Sequence, residues 1–144
     1  MDPAVVLVMK LHPAAALPSR ATPGSSGFDL RARLDAPLLL GRHPRTVPTG
    51  IALQAPPGLD VQVRPRSGLT SRGVAAALGT IDADYRGEIL VTMWTFGDTE
   101  TYEVRDGDRI GQLVVARLAE VVLVETAALD TTTRATGGHG STGR

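Results

Sequence analysis

Cysteine is absent from the 144 residues, which excludes disulfides, thiolate metal sites and a cysteine nucleophile. Net charge is absent too. Fifteen Lys and Arg balance fifteen Asp and Glu, so the surface as a whole has no electrostatic reason to bind nucleic acid or a membrane. A local cluster of arginines can still hold an anion, which leaves a phosphorylated small molecule open. There is no long hydrophobic run. Ala4 to Met9 is too short for a signal-peptide core and far below the roughly 18 residues a membrane span requires. The expectation is a cytoplasmic protein. Sustained 3.6-residue periodicity and internal repeats are missing as well.

What is present is punctuation. Ten prolines and sixteen glycines break the chain into short runs rich in β-branched residues, and the length suits one domain of roughly 100–150 residues. Val5–Lys10, Phe28–Arg33, Ile51–Leu53, Val61–Arg64, Ile89–Phe96, Thr101–Val104, Val114–Ala116 and Val121–Val124 read as strands. In Phe28–Arg33 the alternation puts Asp29, Arg31 and Arg33 on one face. Ile89–Phe96 is apolar on both faces and predicts a central strand buried on both sides. Only Ser67–Leu78, with alanines at 75 to 77, suits a short helix. The pattern predicts an all-β, jelly-roll-like barrel or sandwich over residues 1–129. Residues 130–144, made mostly of Thr, Gly, Ser and Arg without an apolar anchor, read as a flexible C-terminal arm.

Five segments depart from strand logic and concentrate Gly, Ser, Asp and Arg: Ser25–Ala32, Arg64–Leu69, Gly79–Ile89, Arg109–Leu113 and Arg134–Gly143. Each has two readings. Arg66-Ser67-Gly68 is either a turn with Ser67 capping a helix, or an anion site where backbone N–H groups meet a guanidinium. Asp82 to Gly87 is either a hairpin tip, since Asp and Gly suit tight turns, or part of a site. The glycine-rich end is either a solubilising tail or a phosphate clamp whose glycines allow close backbone approach.

Taken together, in this order and spacing, the five segments resemble the ordered motifs of the trimeric dUTPase family, from about Ser25 to Gly143. Gly-Thr-Ile-Asp-x-x-Tyr-Arg-Gly-Glu, at 79 to 88, is the most specific of them. The resemblance implies hydrolysis of dUTP to dUMP and pyrophosphate by water attack on the α-phosphorus, limiting uracil in DNA and supplying dUMP. Asp82 would be the general base. That role requires an ionised carboxylate at neutral pH. Arg66, Ser67, Gly68 and Gln112 would hold phosphate. Arg134, Gly138, Ser141 and Thr142 would close on it from the arm. Mg²⁺ would sit on the triphosphate, with Asp29 holding metal-bound water; Asp29 also reads as a solvent-facing strand residue.

Thr80, Ile81 and Leu90 would present main-chain groups to the uracil edge, and Tyr85 would lie against the deoxyribose, leaving no space for a 2′-hydroxyl. Tyr85 also reads as an aromatic packed on a neighbouring strand. His139, where many relatives have Phe, would stack on the base. A metal role for it finds no second ligand at suitable spacing. His12 and His43 read as plain surface residues in proline-flanked loops. The resemblance further implies a homotrimer whose arm covers a site built by neighbouring subunits. Three departures stand out: Ala76 where many bacterial relatives carry Asn, Gly111 for a common Ala, and Ala135 for a common Gly. A dCTP deaminase-like enzyme of the same fold and a non-catalytic nucleotide-binding module are the alternative readings.

Overall fold

The computed structural model describes residues 2–143. Ten strands and one helical turn form it: β1 Leu7–Lys10, β2 Phe28–Arg31, β3 Leu38–Leu40, β4 Arg45–Gln54, β5 Leu59–Arg64, α1 Ser67–Thr70, β6 Val74–Ala76, β7 Gly79–Ile81, β8 Glu88–Thr95, β9 Tyr102–Val104 and β10 Arg109–Arg117. One four-stranded sheet runs β1-β4-β8-β6, a second runs β2-β10-β5-β7, and β3 pairs with β9. Every pairing is antiparallel. The fold is all-β and jelly-roll-like, as the sequence predicts.

The period-2 alternation of the strands builds the core. Val61 and Val63 of β5, Leu30 of β2 and Leu113 of β10 come from one large sheet; Val47, Ile51 and Leu53 of β4 and Ile89, Val91 and Met93 of β8 come from the other. Each such side chain removed from water contributes about 1.5–3 kcal/mol. β8 is central, as expected, but it is buried on one face only. Leu90 and Phe96 are exposed, while Ile89, Val91, Met93 and Thr95 point inward. The apolar outer face therefore does not mark a second covered layer in one chain.

Several elements differ from expectation. The helix ends at Thr70 rather than Leu78. Gly73, at φ +79°, turns the chain, and Val74–Ala76 becomes β6, paired to β8 from Val74↔Thr95 to Ala76↔Met93. Burial of Val74 and packing of Ala76 on the core override the helical preference of alanine. β4 is ten residues long rather than three. Its Pro48 and Gly50 look like breakers, yet they sit at an irregularity where the register to β8 shifts between Pro48 and Ala52. Gly50 holds φ +70°, and a Cβ there would meet that of Ala15 at 2.9 Å, so only glycine passes. β2 stops pairing at Arg31, two residues earlier than expected.

Val121–Val124 forms no strand, contrary to expectation. These four residues are 75–95% exposed. β-Branched residues suit a pleated, half-buried surface, and among the described residues no strand edge is presented to them. The last long-range backbone bond before the arm is Leu118 N–H to the Gly58 carbonyl, 3.0 Å.

Candidate functional site

β7 and β8 are consecutive strands joined by a short turn, but they belong to different sheets. β7 is the edge of its sheet and pairs only with β5. β8 pairs with β6 through Met93, Trp94 and Thr95 alone, so its first half has no partner on that side. The hairpin therefore opens into a slot whose two walls carry unpaired backbone edges. A pocket of about 190 Å³ occupies it, lined by Val63, Gly79, Thr80, Ile81, Asp82, Tyr85, Glu88, Ile89 and Leu90. Five residues singled out in the sequence, Thr80, Ile81, Asp82, Tyr85 and Leu90, meet here. Gly79, Glu88 and Ile89 of the same segment and Val63 of β5 complete the lining, and of these only Val63 lies outside the five segments singled out in the sequence.

The turn is tightly wired. Tyr85 N–H donates to the Asp82 carbonyl (3.0 Å), the Tyr85 hydroxyl donates to the Glu88 carbonyl (2.9 Å), and Arg86 reaches back to the carbonyls of Ala83 (2.7 Å) and Tyr85 (3.1 Å). The Tyr85 hydroxyl is thus tied to the first residue of β8. The Asp82 carboxylate is exposed and makes no hydrogen bond or ion pair among the described residues of the chain. Ala76 does not line the pocket; it packs against the core from β6.

A second group gathers where β2, β10 and β5 lie side by side. Gln112 is opposite Asp29 on one side and Arg64 on the other. The Asp29 carboxylate, with its side chain only 16% exposed, lies 3.6 Å from Arg66 Nε and 3.7 Å from an Arg109 terminal nitrogen. Arg66 also donates to the Arg109 carbonyl (3.2 Å). Gln112 donates to the Pro65 carbonyl (3.0 Å). A Cβ at Gly27 would fall on the Gln112 amide, so glycine there leaves that side chain its place.

Arg109 was missed by sequence reasoning, although it stands in one of the five segments. The signal is structural: β10 pairs Arg109 with Arg31 but Gly111 with Leu30, leaving Ile110 as an extra residue. Such a bulge re-aims side chains. Ser67 is the first helical residue, not the cap; Arg66 takes the cap position without a side-chain cap bond. Leu69 and Thr70 N–H both turn back to the Arg66 carbonyl. The N–H groups of Ser67 and Gly68 stay outside the turn's own bonding, as at any helix start.

Within one chain, no hydrogen bond or ion pair among the described residues joins this basic group to Asp82. Among the described residues no hydrogen bond or ion pair joins the arm to either group. Arg134 donates to the Gly137 carbonyl (2.8 Å), and Ser141 N–H donates to the Gly138 carbonyl (3.0 Å). Thr142 and His139 are exposed, and Gly138 is half-buried. Ala135 and His139 hold positive φ, 48° and 50°, a region costing a non-glycine residue about 1–2 kcal/mol. Of the other histidines, His43 is exposed as expected. His12 is not a plain surface residue: its Nδ1 accepts from Arg33 Nε (2.9 Å) and Ala14 N–H (3.0 Å). Among the described residues no three acidic, His or Cys side chains cluster as a metal cage, and no helix is long and apolar enough to cross a membrane.

The chain is similar to proteins named deoxyuridine 5′-triphosphate nucleotidohydrolase. That of Chlamydia trachomatis serovar L2 is 46% identical over 139 residues, 93% of this chain and 95% of the relative. That of Caulobacter vibrioides is 46% identical over 133 residues, 88% and 85% respectively. Among solved structures, a mutant Staphylococcus bacteriophage 80alpha dUTPase with dUpNHpp superposes with a TM-score of 0.83 at 21% identity, covering 97% of this chain and 99% of that one. A mutant dUTPase from phage phi11 of S. aureus, described with a structural Mg(II) ion, gives 0.77 at 20% identity, covering 88% and 99%. These two likenesses concern the fold. A family model described as dUTPase matches residues 14–143, and with relatives of this identity and coverage the chain belongs to the dUTPase family.

Proposed function

We propose that this chain hydrolyses dUTP to dUMP and pyrophosphate, thereby limiting uracil in DNA and supplying dUMP. The observation that carries the reading is the slot between β7 and β8, with open backbone edges for walls and Asp82 and Tyr85 in its lining. Main-chain N–H and C=O groups of Thr80, Ile81 and Leu90 pair with the uracil edge. A base with a different donor–acceptor order leaves buried polar groups unpaired, which costs about 1–3 kcal/mol for each. Tyr85 lies against the deoxyribose and excludes a 2′-hydroxyl.

Asp82 is the general base. Its carboxylate makes no hydrogen bond or ion pair among the described residues, which leaves it free to face the water that attacks the α-phosphorus. Arg66, the N–H groups of Ser67 and Gly68, and Gln112 hold phosphate oxygens as charge moves onto the leaving pyrophosphate. From the arm, residues 130–144, Arg134, Gly138, Ser141 and Thr142 close over the outer phosphates and His139 stacks on the base. Asp29, held between two guanidiniums, fits the outer sphere of Mg²⁺ carried by the triphosphate; the ion would neutralise phosphate charge. One carboxylate beside two cations does not make a protein-only metal cage, which supports a metal that arrives with the substrate.

Because no hydrogen bond or ion pair among the described residues joins Asp82 to the basic group within one chain, the working site takes them from different copies of a homotrimer. Pyrophosphate release measured with dUTP, dTTP, dCTP and UTP tests the activity. Release with dUTP alone is expected; ammonia from dCTP would overturn the reading in favour of a deaminase. Mixing two inactive variants, Asp82→Asn and Arg66→Ala, after joint refolding should restore activity if the site is shared. Mixtures as inactive as their parents would remove the sharing.

A further inference from the structure

We propose that Gly87 is a specificity-determining residue that sets the position of the Tyr85 ring, an inference that rests on the sugar-selecting role of Tyr85 given above. Most glycines in tight turns are explained by positive φ. Gly87 is not among the residues with positive φ, so left-handed backbone does not explain this glycine, whereas the space around it does.

A Cβ at Gly87 would fall on the Tyr85 hydroxyl, lie 2.6 Å from Cζ and 3.0 Å from Cε2. The phenol ring therefore crosses directly over the glycine, and the bare Cα is its seat. From there the hydroxyl reaches the Glu88 carbonyl at 2.9 Å. That bond and the contact on Gly87 fix both the tilt and the reach of a ring that is otherwise 44% exposed. The backbone beneath cannot yield easily, because the Tyr85 N–H to Asp82 carbonyl bond and the two bonds from Arg86 hold the turn. Adding one methyl forces the ring to move instead. Discrimination between a 2′-hydrogen and a 2′-hydroxyl depends on contact within about 0.5 Å, so a displaced ring loses it.

The test is a double-mutant cycle read by kcat/KM for dUTP and for UTP. Gly87→Ala should lower the dUTP-to-UTP preference by about tenfold or more, whereas in a Tyr85→Ala background the same change should alter the preference less than about twofold. A folded Gly87→Ala variant with full preference overturns the inference, as does an equal loss in both backgrounds, which a general structural role would give. If Gly87→Ala does not fold, thermal melting decides. A Tyr85→Ala/Gly87→Ala variant melting with Tyr85→Ala supports the ring as the obstacle, and an unfolded double variant overturns it. Wild-type protein that turns over neither nucleotide would sink the activity itself, and the inference with it.

Discussion

The hairpin from Gly79 to Leu90 and the segment from Leu118 to Gly143 both carry motif residues, but they hold them by different means. In the hairpin, each strand is anchored in a separate sheet, and Tyr85 is fixed by the Glu88 carbonyl and the Gly87 backbone. In the C-terminal segment every hydrogen bond among the described residues beyond Leu118 is short-range, as from Arg134 to Gly137, and only Gly137 and Gly138 are half-buried, the rest being exposed. The hairpin is finished before any ligand arrives; the arm has a local shape and no surface to lie on. On the proposed reading, the hairpin selects base and sugar, and the arm adds phosphate contacts to those of Arg66, Ser67, Gly68 and Gln112.

Four substitutions and one truncation can break or sharpen that division. The largest effect is expected from Asp82→Asn: turnover of dUTP should fall by about 10³-fold or more while its binding, measured by calorimetry, stays within severalfold, because a neutral amide keeps the shape and loses the base. Unchanged turnover would take Asp82 out of the chemistry. Deleting residues 134–144 should lower kcat/KM by about 10²-fold or more, as phosphate contacts and closure are lost together. The melting temperature should move by less than about 2 °C, since the deleted segment buries little. A truncated protein of full activity would reduce the arm to a tail.

Arg109→Ala should cost about tenfold in kcat/KM by releasing Asp29 and Arg66, with partial recovery in Arg109→Lys and no change in the preference for dUTP over dCTP. A change in base preference would show that the two halves are not separate. Smallest of all, Ala135→Gly removes about 1 kcal/mol of left-handed strain but adds a similar entropy cost in the open arm. The KM for dUTP should shift by less than about threefold, and a tenfold shift would mean the arm's turn controls closure.

The sequence made strands legible where alternation was clean and left them hidden where a breaker residue was put to use. β5 and β9 appear almost as read, whereas β4 was reduced to three residues because Pro48 and Gly50 mark a register shift that no local pattern distinguishes from an end. β6 was mistaken for helix because the alanines at 75 to 77 carry helical preference, while the pairing that makes them a strand comes from β8. The slot residues were legible through their motif, yet that motif could not reveal that β7 and β8 part company into two sheets. Arg109 was invisible for a similar reason: a bulge is a relation between two strands, and only one of them is in view when a segment is read alone. Val121–Val124 shows the converse, a strand-like composition without a neighbour to complete it in the single chain.

A base entering between β7 and β8 would take the position of an absent strand, meeting donors and acceptors already spaced as a ladder. Their unmatched edges are built into the resting fold, so capture needs no unzipping of the turn. Recognition on these terms loses little backbone freedom on binding. It should register as slower amide hydrogen exchange along both lips of the cleft, with hardly any response in the layers beneath.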